Sequence, residues 1–398
     1  MIFQTLDDKN ECVAIYQNGE INYNIIPQDT EQYSKTWSYS QYLKNKDIEY
    51  ANLYCEGKTL DEVCPEEIKK DWQAVNKKLR AIMRSFIESK VSMNDNCFFD
   101  LTPERFLKDY CIVKEQICEH VFANYSRPHN YEFLRSMTEL FTDIKYRKLN
   151  IDLDNLKENI KDESTKAIFQ KYSDIEDTIE YNLFGAVTGR LSAKGFPILT
   201  FNKKHRHVLN PTNDFFVEMD FNAAEIRMAY ALSGKEQPKG DVYEEINNTV
   251  YDGELTRKQV KDKTIVWLYD EEGKDNRLES VFDKKKLLDT YYKNGYIHTA
   301  YGRKIEVEER KAISYLLQSS FIDLFHRQVL KVHDYIKNEK TFIPFMIHDC
   351  LYLDMSMSDR KHMNHIVSIF SDTEFGKYLV SVKAGKKLSE MKELKLNG

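Results

Sequence analysis

Two aspartates lie where a short apolar run breaks off. Asp220 closes FFVEMD (215–220), and the chain then turns at once into a helix-forming pattern. Asp349 lies 129 positions later, between two β-prone runs in FMIHDCLYLD (345–354). A carboxylate at a strand end can point into a cleft and offer two oxygens to a cation. Two of them on adjacent strands can hold a pair of magnesium ions roughly 4 Å apart, which activate an attacking hydroxyl and stabilise a leaving phosphate oxygen. Magnesium keeps water and substrate phosphates in its shell, so few protein carboxylates are needed. The chemistry would be phosphoryl transfer by positioning and charge. The ordinary reading of Asp349 is a turn former. The apolar runs on either side instead place the hairpin tip against a sheet.

The elements that must position these acids can be read from pattern. After Asp220, Asn222-Ala-Ala-Glu225 fits a capping box, and AEIRMAYALS continues as a helix to Gly234. Earlier, IFQTL, CVAIY and INYNII read as a small meander, with Asn18-Gly19 a hairpin signal. Helical spacing marks 65–95, 103–125, 130–149 and 152–175. From about residue 181, turns, short apolar runs and amphipathic helices alternate. A boundary is expected near 95–100, with the chemical core starting near 180.

Hydrophobic residues make up 41% and charged residues 31% of the 398, which describes a folded chain of two or three domains. No run is long and apolar enough to suggest a membrane span, and the first residues carry no signal-peptide pattern. The seven cysteines are scattered, with no CxxC pair, as in reduced cytoplasmic proteins. Net charge is −6, but basic clusters stand at Lys203–His207, at Arg257-Lys258 with Lys261 and Lys263, and at Lys383–Lys387. A local cluster matters more to an anionic partner than the sum does.

With these residues in place, the chain resembles the family A DNA polymerases, of the polymerase I and podophage replicase type. Asp220-Phe221-Asn222-Ala223-Ala224-Glu225-Ile226-Arg227 matches motif A, and Ile347-His348-Asp349-Cys350 matches motif C. Thr188-Gly189-Arg190-Leu191-Ser192 matches the TGRLS block. Arg257, Lys261, Ile265 and Tyr269 follow the four-residue steps of the fingers helix, which drift only about 40° per step and so share one face. Tyr301-Gly302-Arg303, Glu309-Arg310 and Gln318-Ser319 keep the order of the block that follows. The likeness covers roughly 180–390 and fades back to about 97.

The resemblance implies an α+β fold. This would be a polymerase right hand with an antiparallel palm sheet, helical fingers, a reduced helical thumb and a small α/β N-terminal domain. Residues 1–95 would be an accessory or degenerate exonuclease-like domain, and 96–180 a connector and reduced thumb. The palm would take 181–235 and 311–398, and the fingers 236–310. The implied activity is template-directed 5′–3′ DNA synthesis from dNTPs on a primer–template, without proofreading, in phage replication in the infected host's cytoplasm. A processivity or proofreading subunit is an implied partner. Asp220 and Asp349 would be catalytic, binding two Mg2+ ions (or Mn2+) with the carbonyl of Phe221. Arg257 and Lys261 would bind the incoming phosphates, Ile265 and Tyr269 would lie near base and sugar, and Glu225 would exclude a ribose 2′-hydroxyl. Arg190, Arg303, Arg310, Gln318 and His348 would contact DNA. Two departures stand out: Cys350 occupies the place of the second motif C acid, and Ile265 that of an aromatic. Two alternatives remain open, a single-subunit RNA polymerase or primase-like enzyme and a non-catalytic replisome scaffold.

Overall fold

The computed structural model describes residues 2–9, 11–23, 34–44, 46–93, 95–152, 154, 176–270 and 275–394. It divides into two compact units, Met1–Tyr146 and Arg147–Gly398.

The first unit is built on strands β1 (Ile2–Asp8), β2 (Glu11–Gln17), β3 (Glu20–Tyr23), β4 (Lys35–Thr36) and β5 (Glu49–Tyr50). Their order is β3-β2-β1-β4-β5: the first three form the antiparallel meander read from sequence, and β4 and β5 add parallel. Asn18 and Gly19 both take positive φ, 51° and 77°, as a type I′ hairpin turn requires. Helices α1 (Lys69–Glu88), α2 (Glu104–Asn124) and α3 (Tyr131–Lys145) belong to this unit. Phe106, Cys111, Ile117, Cys118 and Val121 of α2 and Tyr131 of α3 share one core with Leu6, Ala14 and Tyr16 of the sheet and Trp72 of α1. The apolar face of α2 is thus used up against this sheet, and the unit runs on past the boundary expected near 95–100.

The second unit centres on an antiparallel sheet and one long helix. Among its elements are β6 (Phe215–Phe221), α4 (Ala224–Leu232), α5 (Val242–Val250), α6 (Arg257–Tyr269), α7 (Glu309–Ile336), β7 (Met346–Ile347), β8 (Cys350–Met355), α8 (Met363–Ser371), β9 (Val380–Gly385) and β10 (Lys392–Glu393). The sheet order is β7-β8-β6-β9-β10, with every neighbour antiparallel. The FFVEMDF run alternates as a half-covered strand should. Val217, Met219 and Phe221 are buried, while Glu218 and Asp220 are partly open on the other face. Phe221 stacks on Phe370 of α8 at 4.3 Å between ring centroids and meets Phe321 of α7 edge-on at 5.7 Å. Removing so enclosed a ring typically costs about 3–5 kcal/mol.

The 28-residue α7 is buried almost all round, with Ser319 to His326 continuously covered. A helix enclosed in this way must satisfy its polar side chains internally. Gln328 donates to the carbonyls of Ile369, Phe370 and Asp372 at 2.8, 3.1 and 2.8 Å, closing the C-terminal end of α8. Buried Asp354 of β8 accepts from the backbone N–H groups of Thr212 and Asn213 at 2.6 and 2.8 Å, tying down the turn that leads into β6. The Tyr181 hydroxyl donates to Met346 O at 2.6 Å and accepts from Met346 N at 2.9 Å on the outermost strand β7. Among the described residues no helix is long and apolar enough to cross a membrane.

His326 is 1% exposed, and its Nε2 has no hydrogen-bond partner. Burial, with the nearby Arg303 charge, pushes its pKa from 6.5 down to about 3. A depressed folded-state value means that stability is complete above about pH 6.5 and drains away as pH falls toward 3, because only the unfolded chain takes up the proton. Unfolding titrations between pH 6.5 and 4 should therefore show a slope approaching one extra proton, about 1.4 kcal/mol per pH unit, relative to His326→Phe. Parallel slopes for the two proteins would contradict this assignment.

Candidate active site

Strand register brings the two aspartates together. Asp220 pairs directly with Cys350 on one side and Ser381 on the other. Asp349 immediately precedes Cys350, in the two-residue loop between β7 and β8. His348, first in that loop, has φ 58°. A positive φ is a conformation that glycine takes freely and other residues rarely adopt. Holding a histidine there costs of order 1–3 kcal/mol, and such strain is found where a site requires it.

The two carboxylates interact. Asp220 has its pKa raised from 3.8 to about 6 by burial first, then by the charges of Asp349 and Glu218; Lys383 and Lys203 pull the other way. Glu218 lies two residues back on the same face. It accepts from Tyr352 Oη at 2.7 Å and Lys383 Nζ at 2.9 Å, the residues directly opposite on β8 and β9. The Cys350 thiol is pushed far up by burial and by Glu218, Asp220 and Asp349, so it stays protonated beside the acids. Among the described residues no group of three His, Cys, Asp or Glu side chains could hold a metal ion. The donor set nonetheless suits a hard divalent cation, because it offers two repelling oxygen ligands with a protonated, non-competing thiol alongside.

A second cluster forms around Glu225, in the first turn of α4. The expected capping box is absent: Ala223 is the N-cap residue, at φ 49°, and no side chain caps the helix. Glu225 reaches instead to Tyr269 at the end of α6, whose hydroxyl donates to Oε2, and to Arg190, whose Nη2 lies 3.3 Å from Oε1. Burial raises the Glu225 pKa against both partners. Three blocks separated by dozens of residues thus meet on one side chain. Asn222, released from capping, donates its backbone N–H to Leu379 O at 2.8 Å.

Arg303, expected on DNA, has its donors directed inward. They reach Asp323 at 3.0 Å, the carbonyls of Val187 and Thr188 at 3.1 and 2.9 Å, and more distantly Ser319 O. A Cβ at Gly189 (φ 88°) would come within 2.7 Å of Arg303 Nη2, so the glycine before Arg190 makes room for this clamp. The guanidinium therefore holds the loop that presents Arg190. Arg310 is exposed and bonds Glu308 at 2.5 Å, and Gln318 donates to Ser314 at 3.2 Å, one turn back on α7. Lys261 is exposed on α6 and Ile265 is half-buried. Arg257 is bonded to Asp241, whose carboxyl stays below its usual range because Arg257 and two backbone N–H groups outweigh the effect of burial.

Sequence reading passed over Glu218, Tyr352 and Asp241, and saw Lys383 only as part of the basic cluster Lys383–Lys387. Alternation along FFVEMD put Glu218 on the face of Asp220, and Asp241 before VYEEI carried an N-cap signal.

No family model matches the chain. A curated relative, the DNA polymerase of Mycobacterium phage L5, is 24% identical over 266 residues, covering 53% of this chain and 43% of that protein. The chain thus aligns with less than half of the relative's length. The polymerase domain of Pol1 from M. smegmatis, solved in complex with DNA primer-template and dNTP, superposes with a TM-score of 0.56 at 14% identity, covering 72% of this chain and 76% of that one. The chain has a DNA polymerase fold. In this polymerase fold, the strand that carries Asp220 is the middle of the five-stranded sheet, flanked directly by the strand that follows Asp349.

The raised pKa of Asp220 has a consequence for stability. Because the folded value, about 6, lies above the ordinary 3.8, the contribution to stability is fully present below about pH 4 and is lost as pH rises through 6. Asp220→Asn should accordingly stabilise the protein by on the order of 1–2 kcal/mol at pH 8 and hardly at all at pH 4. Equal shifts in denaturant titrations at the two pH values would show that neither burial nor its neighbours raise the Asp220 pKa.

Proposed function

We propose that this chain is a template-directed DNA polymerase of the family A type, extending a primer 3′ end with dNMPs in phage DNA replication. The observation that carries the proposal is the convergence of Arg190, Glu225 and Tyr269 on one cluster in the fold where Asp220 pairs with Cys350, the residue after Asp349. On this reading the sheet β7-β8-β6-β9-β10 with α7 is the palm, α5 and α6 belong to the fingers, and the thumb is reduced. Of the segment expected as connector and thumb, 96–180, the part up to Tyr146 belongs to the first unit, and 153 and 155–175 lie outside the described residues. The first unit would be an accessory, degenerate exonuclease-like domain without proofreading activity that docks a processivity or proofreading subunit.

Asp220 and Asp349, with the carbonyl of Phe221, would hold two Mg2+ ions (Mn2+ in their place). Bound there, the ions would lower the pKa of the primer hydroxyl and neutralise charge on the phosphate being transferred. The chain's own side chains do the rest. Lys261 and Arg257 draw the triphosphate to α6, Lys as a point charge and Arg as a fork. Ile265 and Tyr269 line the base and sugar. Tyr269 and Arg190 fix Glu225 where a ribose 2′-hydroxyl would fall, so a ribonucleotide meets a side chain that cannot swing away. Arg190, Gln318 and His348 contact primer and template, Arg310 lies along the duplex, and Arg303 acts through the loop carrying Arg190.

Extension of a labelled primer by the purified full chain tests this directly. Magnesium-dependent addition of dNTPs in preference to NTPs is expected. Asp220→Ala or Asp349→Ala should reduce the rate by on the order of a thousandfold or more. Preference for NTPs would assign a ribonucleotide enzyme, and no extension, with Asp220→Ala without effect, would assign a scaffold. Lys261→Ala should raise the apparent KM for dNTP by about tenfold or more while kcat changes less, and an unmoved KM would take Lys261 out of the site.

A further inference from the structure

Asp241 divides its two carboxylate oxygens between two tasks. Oδ1 accepts from the backbone N–H groups of Tyr243 and Glu244 at 3.0 and 3.1 Å, capping α5. Oδ2 accepts from Arg257 Nε at 3.0 Å and Nη2 at 2.7 Å, with Asn222 Nδ2 at 3.5 Å. The cap bonds pin the carboxylate to a helix end, so Oδ2 is a fixed point. Arg257, on a long and 47% exposed side chain, is fixed by it and lies over the Tyr243 ring at 5.3 Å. The segment before Asp241 is held as well. Arg227, wholly buried, donates to Pro238 O at 2.7 Å, Gly240 O at 2.6 Å and Asn222 O at 3.0 Å. An unbroken series of hydrogen bonds therefore runs from Asn222, two residues past Asp220, to the guanidinium at the head of α6.

We propose that Asp241 is a positioning residue for the incoming nucleotide. It presents Arg257 to the triphosphate in one orientation, with two N–H groups occupied and the others left for phosphate oxygens. An arginine ordered beforehand loses less freedom on binding, so affinity rises without any new contact to the ligand. The inference rests on the reading of Arg257 as a phosphate ligand. The rival role, a helix cap and nothing more, uses only Oδ1.

Substitution separates the two roles. Asparagine caps helices as well as aspartate does. Asp241→Asn keeps the Oδ1 acceptor and places an amide NH2, which cannot accept from Arg257, in the position of Oδ2. Asp241→Ser also caps, and it removes the second oxygen. The full chain would be bound to a dideoxy-terminated primer–template, its dNTP dissociation constant measured, and KM and kcat taken on an extendable primer. Each Asp241 variant should weaken dNTP binding by about five- to tenfold and raise KM likewise, with kcat within about twofold. Arg257→Ala should weaken binding at least as much, and the double variant Asp241→Asn/Arg257→Ala no more than Arg257→Ala alone. Additive losses, or unchanged binding in Asp241→Asn when Arg257→Ala is impaired, would overturn the positioning role and leave Arg257 as a phosphate ligand. Unchanged binding in Arg257→Ala would overturn both.

Discussion

Like charges on neighbouring strands repel, and the second unit is arranged so that two of them cannot separate. Asp220 is locked into the middle strand of the sheet by pairing on both sides, and Asp349 is locked by a tight turn with a histidine in a backbone conformation it disfavours. Neither acid can relax without breaking a ladder that Phe216, Val217, Met219 and Phe221 anchor in the core. The core therefore supplies the free energy that keeps the carboxylates together, and a divalent cation would relieve the repulsion. Glu218, Tyr352 and Lys383 form one cross-strand row beside the acids, so the local charge is graded across the sheet.

The same economy governs the helices around the acids. Arg227 is fully buried, yet its donors all end on carbonyls or an amide oxygen, which turns a costly burial into a brace for the segment between α4 and α5. Arg303 braces the loop before Arg190, with Asp323 of α7 as its counter-charge. Arg303 looks like a nucleic-acid ligand in the sequence, because its charge is visible there and its partners are not. Of the arginines in the matched blocks, only some are left with donors facing out.

Much of this was legible beforehand, for definite reasons. The period-two pattern of FFVEMD and the apolar runs on either side of Asp349 pointed to three strands, β6, β7 and β8, and the resemblance implied that they share one sheet. The Asn18-Gly19 turn was legible because few other dipeptides take two positive φ values. The capping box was misread because Asn222 and Glu225 have the right types at the right spacing, but competition from Tyr269 and Arg190, distant in sequence, takes Glu225 away. The extent of the first unit was hidden for a related cause. An amphipathic helix announces that it has an apolar face, not which sheet will cover it. Asp241 escaped notice because a cap residue ordinarily needs only one of its oxygens.

The Tyr181 hydroxyl, inserted against both polar groups of Met346, bears on how this molecule can be approached by others. An outer strand with free amides and carbonyls is a template on which foreign chains can add themselves. Here one rim of the central sheet is a two-residue strand with that hydroxyl already seated on it, and the opposite rim is the equally short, charged Lys392-Glu393. Strand-by-strand accretion therefore has little to grip at either margin of this central sheet.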